Sequence, residues 1–193
     1  MATMNENDPR VKRTRDLIIN AFISEVSKKG FESITVKDIT TTATINRTTF
    51  YAHFTDKYDL LDTLIAEKFS ELLSSKIQEE LSINEHSIRN LVLCLCDFFE
   101  MIKATCDCGY ISILPLIGNK ITEELYSIIY TALKIEPVLA EHEIMRIELI
   151  STMISTSIYN AVYRWKMQKT PVDQEILIQD VIDFILTGIK NKL

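Results

Sequence analysis

Hydroxyl, amide and basic side chains recur between Thr35 and Lys57 in a pattern typical of nucleic-acid recognition. Arginine can bond the guanine edge in the major groove, and a threonine methyl can touch the thymine methyl. Tyrosine, histidine and lysine are better suited to phosphate oxygens, which set the register of a protein on DNA. The residues predicted to contact DNA are Thr35, Lys37, Asn46, Arg47, Thr48, Thr49, Tyr51, His53 and Lys57.

Two short helices must position these side chains. Thr35 and Asp38 have the spacing of a capping box, with Asp in place of Glu, and predict the start of the first helix. Asn46 is a good N-cap for the second. Phe50 and Phe54 lie four residues apart and can pack inward, so the polar residues of the second helix are expected to face outward.

Longer helices flank this pair. A helix is predicted from Arg10 to Lys29, where Gly30 follows as a stop signal. Asp56 is a good N-cap for another helix, which is predicted to continue toward Leu81. The order of long, short, short and long helices outlines a helix-turn-helix unit followed by a connecting helix.

Four motifs follow one another in this part of the chain: Gly30-Phe31, Thr35-Val36-Lys37-Asp38-Ile39, Ala43-x-Ile45-Asn46-Arg47-x-Thr49-Phe50-Tyr51-x-His53-Phe54 and Lys57-x-x-Leu60-Leu61. In this order they resemble the TetR family of bacterial regulators, over roughly residues 10–65. One position departs from the family pattern, since Thr44 stands where glycine is often found. A β-branched residue is unfavourable if φ is positive there, so we expect the turn to be slightly recast.

The resemblance implies an architecture and a function. It implies a three-helix DNA-binding head over residues 10–55, after a flexible arm over residues 1–9. A larger helical body over residues 56–193 would then sense a ligand and form a homodimer. Such regulators are usually repressors that a small-molecule effector releases from double-stranded operator DNA. Dimer symmetry implies a near-palindromic operator.

Composition favours an all-α fold, and the periodic segments along the chain predict about nine helices. The resemblance implies that the head is followed by a larger helical bundle. Hydrophobic residues make up 47% of the chain, and only four glycines and four prolines punctuate its 193 residues. The net charge is −6, but residues 1–61 carry nine basic and eight acidic side chains, or +1, and the remainder carries twelve and nineteen, or −7. This distribution suits a DNA-binding protein, because positive charge is needed only where the duplex lies.

The sequence argues against membrane, secreted and enzymatic functions. No apolar run approaches the roughly 18 residues that span a bilayer. The first 16 residues lack the apolar core of a signal peptide. We therefore expect a cytoplasmic protein with reduced cysteines and no membrane partner. A Gly-rich phosphate loop, a His/Glu metal motif and a nucleophile elbow are all missing, so we expect no enzyme activity and no cofactor.

The rest of the chain is predicted to form long helices. These helices cover residues 88–103, 121–134, 138–169 and 172–193, with a shorter segment over 110–117 that Pro115 and Gly118 interrupt. The last two have wide apolar faces. The resemblance implies that these two helices pair with their copies in a second chain, and their apolar surface on several sides favours this use as well as a place in the core. The faces consist of Ile147, Ile150, Ile154, Ile158, Ala161, Val162, Ile178, Val181, Ile182, Ile185 and Ile189.

Aromatic and methionine side chains of the body are the candidates for an effector pocket. Such residues at helical spacing are more often core, but buried Tyr and Trp need a polar partner, which makes them useful pocket walls. The pocket candidates are Phe98, Phe99, Met101, Tyr110, Tyr126, Tyr130, Met153, Tyr159 and Trp165.

The cysteines leave two alternatives open. Cys94 and Cys96 lie in a helical run, where a spacing of two places them about 200° apart and prevents easy chelation of one ion. Cys106 and Cys108 lie at a predicted helix end and are weak metal candidates, so a metal-responsive or thiol-redox-responsive regulator is one alternative. Reduced buried cysteines are the simpler interpretation. A helix-turn-helix module for protein contacts is a further alternative, which the basic residue Arg47 argues against.

Overall fold

The structure, a computed structural model, describes residues 8–77, 82–105, 110–134 and 140–190, apart from the side chains of residues 110–112 and 189–190. These residues form eight α-helices and no strand, which confirms the all-α prediction and comes close to its count of about nine. None of these helices combines the length and apolarity that a membrane span requires. The helices are α1 (Pro9–Lys29), α2 (Val36–Thr42), α3 (Arg47–His53), α4 (Lys57–Lys76), α5 (Glu85–Thr105), α6 (Tyr110–Leu133), α7 (Glu141–Lys166) and α8 (Gln174–Lys190).

The described residues divide into two compact units. Those up to Ile65 and those within 101–117 form the first unit, and those within 66–100 and from 118 onward form the second. In the first unit, α1 packs on α2 and α2 packs on α3, whereas in the second α7 packs on α8. The division into a flexible arm, a DNA-binding head and a sensing body stays a prediction.

Both ends of α1 carry residues suited to helix termini. The Asp8 carboxylate accepts a hydrogen bond from the backbone N–H of Arg10 at 2.8 Å, and Pro9 takes the first helical position, where its missing N–H is no loss. The helix ends at Gly30, whose φ of 74° and ψ of 154° are open almost only to glycine. The inner face of α1 consists of Ile18, Ala21, Phe22, Glu25 and Val26.

Aromatic rings hold the first unit together. Phe31 lies edge-to-face with Phe22 and with Tyr58, at centroid distances of 6.2 and 5.2 Å. Phe50 and Phe54 of the α3 region lie 5.9 Å apart and are 0% and 4% exposed, so they pack inward as the sequence predicts. Because these two side chains are buried, the opposite face of α3 is fixed outward.

One correction concerns α6, which is a single helix through Pro115 and Gly118 rather than two segments. Proline at the sixth helical position forfeits one backbone hydrogen bond, to the carbonyl of Ile111, close to the helix start. Burial of Ile113, Leu114, Ile117 and Ile121 outweighs that loss, because each buried aliphatic side chain stabilises the fold by about 1.5–3 kcal/mol.

In the second unit, Gly118 has a packing role rather than a turn role. A Cβ atom at this position would lie 2.7 Å from the Tyr159 hydroxyl oxygen, so only glycine admits the ring where it lies. Tyr159 in turn packs edge-to-face on Phe99 at 6.1 Å, and Phe98 packs on Phe69 at 5.0 Å. The glycine therefore marks a close approach between α6 and α7.

The apolar faces of α7 and α8 serve the core, as expected for one of their two predicted uses. Eight of the residues on these faces are buried within the unit, where α7 packs on α8. Pairing with a second chain stays a prediction. Those eight are Ile150, Ile154, Ile158, Val162, Ile178, Val181, Ile182 and Ile185. Ile147 and Ala161 are half-buried, and the side chain of Ile189 lies outside the described residues. The exposed apolar side chains of these helices are instead Met145, Leu149, Met153, Ile176 and Phe184.

Candidate nucleic-acid interface

The turn between α2 and α3 holds Thr44 in a rare backbone conformation. Its φ is 56°, in the left-handed region that non-glycine residues seldom adopt. The N–H groups of Thr44 and Ile45 donate to the carbonyls of Thr41 and Thr40, at 3.2 and 3.0 Å. The turn is thus not recast for threonine, contrary to expectation. These bonds and the packing of α2 on α3 hold a conformation that costs about 1–2 kcal/mol.

Asn46 caps α3, as its residue type predicts. Its Oδ1 atom accepts hydrogen bonds from the backbone N–H of Thr49 at 2.7 Å and from the Thr49 hydroxyl at 2.9 Å. The Thr49 hydroxyl proton is therefore used within the protein. The Asn46 side chain can offer DNA its amide N–H groups, which the cap does not require.

The outward face of α3 is polar with small apolar patches. Arg47, Thr48, Tyr51 and Ala52 are all exposed, and the ring of Tyr51 is 56% exposed. Lys37 is also exposed, in the first turn of α2. This face offers a guanidinium, hydroxyl groups and methyl groups, which are the groups that read base edges in a major groove. Sequence reasoning missed Ala52, whose position one helical turn after Thr48 was the signal that could have found it.

Thr35 is used mainly for the cap of α2. Its backbone N–H and hydroxyl both donate to Asp38 Oδ2, at 2.9 and 2.6 Å, and its Oγ1 atom accepts from the Asp38 N–H at 3.3 Å. The capping box predicted from the sequence is therefore present. A phosphate contact by Thr35 stays a prediction. It would require the Thr35 N–H or hydroxyl, which already donates to Asp38, to donate to the phosphate as well.

A buried carboxylate ties the end of α1 to α2. Glu25 is 5% exposed and accepts hydrogen bonds from the Lys29 ammonium at 2.9 Å and the Thr42 hydroxyl at 2.9 Å. Lys29 also reaches Asp38 at 2.8 Å. The Lys29 ammonium holds the pKa values of both carboxyl groups below their ordinary values, with help from Thr42 at Glu25 and from Thr35 at Asp38. The network fixes the angle at which α2 leaves α1.

Lys57 has a structural role that sequence reasoning did not foresee. Its ammonium group donates to the backbone carbonyls of Phe31, Glu32 and Ile34, at 3.0–3.1 Å. It also lies over the Phe31 ring, 4.8 Å from the centroid. All three ammonium protons are thereby used to hold the loop between α1 and α2. A phosphate contact by Lys57 stays a prediction that would require giving up one of these bonds.

His53 is half-buried at the end of α3, beside Arg15. Burial lowers the pKa of its imidazole, and the positive charge of Arg15 lowers this pKa further. The ring is therefore neutral at pH 7 and can donate one hydrogen bond to a phosphate without adding charge. Arg15 itself lies over the Phe54 ring, 5.6 Å from the centroid.

An open groove of about 370 Å³ lies between the first two turns of α1 and one side of α3 along its whole length. Its α1 wall was not among the predicted site residues, although four basic residues between positions 10 and 15 were a visible signal. The lining residues are Arg10, Val11, Thr14, Asn46, Thr48, Thr49, Ala52 and His53. Two exposed residues of α3, Thr48 and Ala52, therefore belong both to the outward face and to the groove.

Residues 18–64 match the family model described as bacterial regulatory proteins of the tetR family. Over this segment the chain carries a TetR-family helix-turn-helix, and residues 40–54 contain the turn and the outward-facing helix described above.

Two relatives from Bacillus subtilis are similar to this chain. The fatty acid metabolism regulator protein of Bacillus subtilis is 24% identical over 185 residues, which cover 91% of this chain and 95% of that protein. The HTH-type transcriptional regulator YxbF of the same organism is 39% identical over 67 residues, 34% of this chain, and the match spans only 18% of that protein.

Two solved structures show the same fold. A TetR transcriptional regulator from Streptococcus agalactiae matches with a TM-score of 0.54 and 22% identity, over 94% of this chain and 96% of that one. The fatty acid degradation regulator FadR from Bacillus halodurans matches with a TM-score of 0.51 and 18% identity, over 92% and 96%.

The residues predicted for an effector pocket lie in different environments, and the pocket stays a prediction. Phe98, Phe99 and Tyr159 are buried in the second unit, and Tyr126 stacks on Tyr130 at 5.8 Å with both rings half-buried. The indole N–H of the half-buried Trp165 donates to the carbonyl of Val172 at 2.7 Å, so its partner is the protein itself. Met101 belongs to the first unit and is 38% exposed, and Met153 is 59% exposed on α7. The side chain of Tyr110 lies outside the described residues.

The cysteines that can be described are inert. Cys94 and Cys96 are free and buried, and burial raises the pKa of their thiols to about 12 and about 11. They are therefore protonated at pH 7 and poor metal ligands or nucleophiles. Cys106 and Cys108 lie outside the described residues, and within the described ones no group of three potential metal ligands occurs.

Proposed function

We propose that this TetR-family regulator binds a near-palindromic operator as a homodimer and represses transcription until a small molecule releases it. The observation that carries the proposal is the outward face of α3, with Arg47, Thr48 and Tyr51 exposed on a helix that Phe50 and Phe54 anchor in the core. A recognition helix that is anchored in the core and presents a guanidinium and methyl groups suits the major groove. A chromosomal operator would place the protein in the cytoplasm.

Binding selection from random duplex DNA at near-physiological salt tests the first part. We expect a near-palindromic motif whose half-sites lie about one helical turn apart, because a two-fold dimer presents two copies of α3. Recovery of no motif with the purified protein would contradict sequence-specific binding.

The contacts of α3 can then be separated with two variants. Arg47→Ala is expected to change the preferred bases at one position of each half-site, because we assign its guanidinium to a base edge. Tyr51→Ala is expected to weaken binding to all duplexes alike, since we assign Tyr51 to phosphate. An unchanged preference in Arg47→Ala would remove Arg47 from base readout.

The dimer is supported by the exposed apolar side chains of the last two helices. Met145, Leu149 and Met153 follow at intervals of four residues and therefore lie along one side of α7. Phe184 of α8 is 70% exposed. Exposed apolar residues grouped on neighbouring helices mark surfaces that another chain covers, and a two-fold axis requires the same patch on both copies.

The class of effector is proposed from similar proteins and from the interior of the second unit. The names of two similar proteins refer to fatty acid metabolism and fatty acid degradation, and the second unit contains an apolar interior that includes Phe98, Phe99 and Tyr159. We therefore propose straight-chain fatty acids as the first compounds to test. They are expected to release the selected duplex and to raise the melting temperature of the free protein. No effect on either quantity would exclude this class.

We expect no enzyme activity, because the similar proteins are transcriptional regulators and the described residues offer no metal cluster. A helix-turn-helix used only for protein contacts would show no DNA affinity that falls with salt. The selection experiment therefore also separates this alternative from operator binding.

A further inference from the structure

We infer that the first turns of α1 are a third DNA-contacting element, and that Arg10 binds a backbone phosphate in the groove between α1 and α3. This inference rests on the proposed operator binding and adds a contact to it. The groove and its lining residues belong to the first unit, so their geometry is set within that unit.

The groove adjoins the outward face of α3. Thr48 and Ala52 line the groove and also belong to the outward face of α3. When α3 lies in a major groove, the sugar-phosphate strand at its edge must pass beside the helix. The concave surface between α3 and α1 is where that strand can be received.

The chemistry of the walls suits a phosphate. Arg10 is exposed, and its planar guanidinium carries five N–H donors with a geometry that matches phosphate oxygens. Its backbone N–H is already bonded to Asp8, so only the side chain is assigned to DNA. The Thr14 hydroxyl donates to the Arg10 carbonyl at 2.9 Å, and Thr14 therefore serves as a wall. From the α3 side, the neutral imidazole of His53 can supply a further donor.

The helical phase of α1 provides a matched control. Each residue turns an α-helix by about 100°, so Lys12 points about 200° away from Arg10. Lys12 and Arg10 are both exposed, and neither Lys12 nor any other residue of that opposite face lines the groove. A phosphate held in the groove must therefore depend on Arg10 and not on Lys12.

The test compares Arg10→Gln with Lys12→Gln, since both remove one positive charge from an exposed position of the same helix turn. Dissociation constants are measured on the selected duplex and on an unrelated duplex between 50 and 300 mM KCl. For Arg10→Gln we expect binding about tenfold weaker on both duplexes. The slope of log K against log salt should fall by about 0.9 for each phosphate that the protein no longer neutralises, or about 2 per dimer. For Lys12→Gln we expect less than half of that change in slope.

The possible results separate a failure of the phosphate contact from a failure of operator binding. Equal changes in slope for the two variants, or no change for Arg10→Gln, would overturn the phosphate contact. A changed base preference in Arg10→Gln would overturn it too, because it would place Arg10 on base edges. A wild-type protein without measurable affinity for any duplex would instead remove the operator binding on which the inference rests.

A modified duplex locates the contact. Uncharged methylphosphonates are placed one at a time along each half-site strand, and each duplex is measured with the wild type and with Arg10→Gln. At one position we expect the wild type to lose about tenfold and Arg10→Gln to lose nothing further, as a double-mutant cycle requires for two interacting groups. Additive losses at every position would overturn the inference. Thermal unfolding at the wild-type temperature establishes that both variants are folded.

Discussion

The two compact units differ in the sequence separation of the contacts that stabilise them. In the first unit, Asp8, Thr35 and Asn46 cap helices through hydrogen bonds to residues two or three positions away. In the second unit, the decisive contacts join distant residues, such as Gly118 with Tyr159 and Arg89 with Glu175. Exposed apolar side chains such as Leu149 and Phe184 also remain on its surface. The helix ends of the first unit are therefore specified locally, whereas the second unit depends on long-range packing and, as we propose, on a second chain.

The largest effect is expected at the exposed apolar patch of the second unit. Leu149→Asp is expected to weaken the proposed dimer at least about 100-fold, because a buried unpaired carboxylate opposes association strongly. Analytical ultracentrifugation over a range of protein concentrations measures the dissociation constant. Leu17→Asp is the control, since Leu17 is a similarly exposed leucine on α1 outside the patch. A dimer equally weakened by both variants, or by neither, would contradict this interface.

The next effect tests the close approach of α6 and α7. Gly118→Ala is expected to destabilise the protein by about 1–3 kcal/mol, because its methyl group would overlap the Tyr159 hydroxyl. Gly188→Ala is the matched control, since a Cβ at that position of α8 meets nothing within 4 Å. Alanine favours a helix over glycine, so a gain of about 0.5 kcal/mol is expected there. Urea unfolding measures both, and an equal loss of stability in the two variants would contradict a specific contact at Gly118.

Smaller changes in stability, opposite in sign, are expected in the first unit at Gly30 and Thr44, which both have a positive φ. Gly30→Ala is expected to cost about 1–2 kcal/mol through the backbone alone, because a Cβ there meets no neighbour within 4 Å. Thr44→Gly is expected to stabilise by about 0.5 kcal/mol, because relief of the left-handed strain exceeds the added flexibility of glycine in the unfolded chain. Urea midpoints of the two variants should move in opposite directions. A destabilised Thr44→Gly would show that the threonine side chain stabilises the turn.

The smallest effect concerns the carboxylates of Glu25 and Asp38. Their pKa values are lower in the folded protein than the values of 4.5 and 3.8 expected for the unfolded chain. Their contribution to stability is therefore full above about pH 4.5 and is lost as the pH falls through the folded pKa values. The melting temperature should stay level from pH 7 to about 5.5 and fall below about 4.5. In Lys29→Gln, which removes the cation that both carboxylates share, this fall should be shallower.

Much of the first unit could be predicted from sequence because its signals are local. Thr35 with Asp38, Asn46 with its helix, and Phe50 with Phe54 each act within four residues, and a chain segment of that length determines its own hydrogen bonds. The structural role of Lys57 was not predicted because its partners, the carbonyls of Phe31, Glu32 and Ile34, lie more than 20 residues away. The α1 wall of the groove was not predicted either, because α1 and α3 are distant in sequence.

Local sequence signals were enough to establish the all-α class, the order of the helices in the first unit, their caps and the face of α3 that points outward, because helix periodicity and capping are local properties. Tertiary packing was needed to establish the continuity of α6 through Pro115, the inward direction of the large apolar faces of α7 and α8, and the left-handed conformation of Thr44. For α6, α7 and α8 an unfavourable or ambiguous local preference is outweighed by contacts between distant segments, whereas at Thr44 the cost is offset by the turn hydrogen bonds and the packing of α2 on α3. A periodic pattern predicts that a helix has an apolar face, but it does not predict which segment that face contacts.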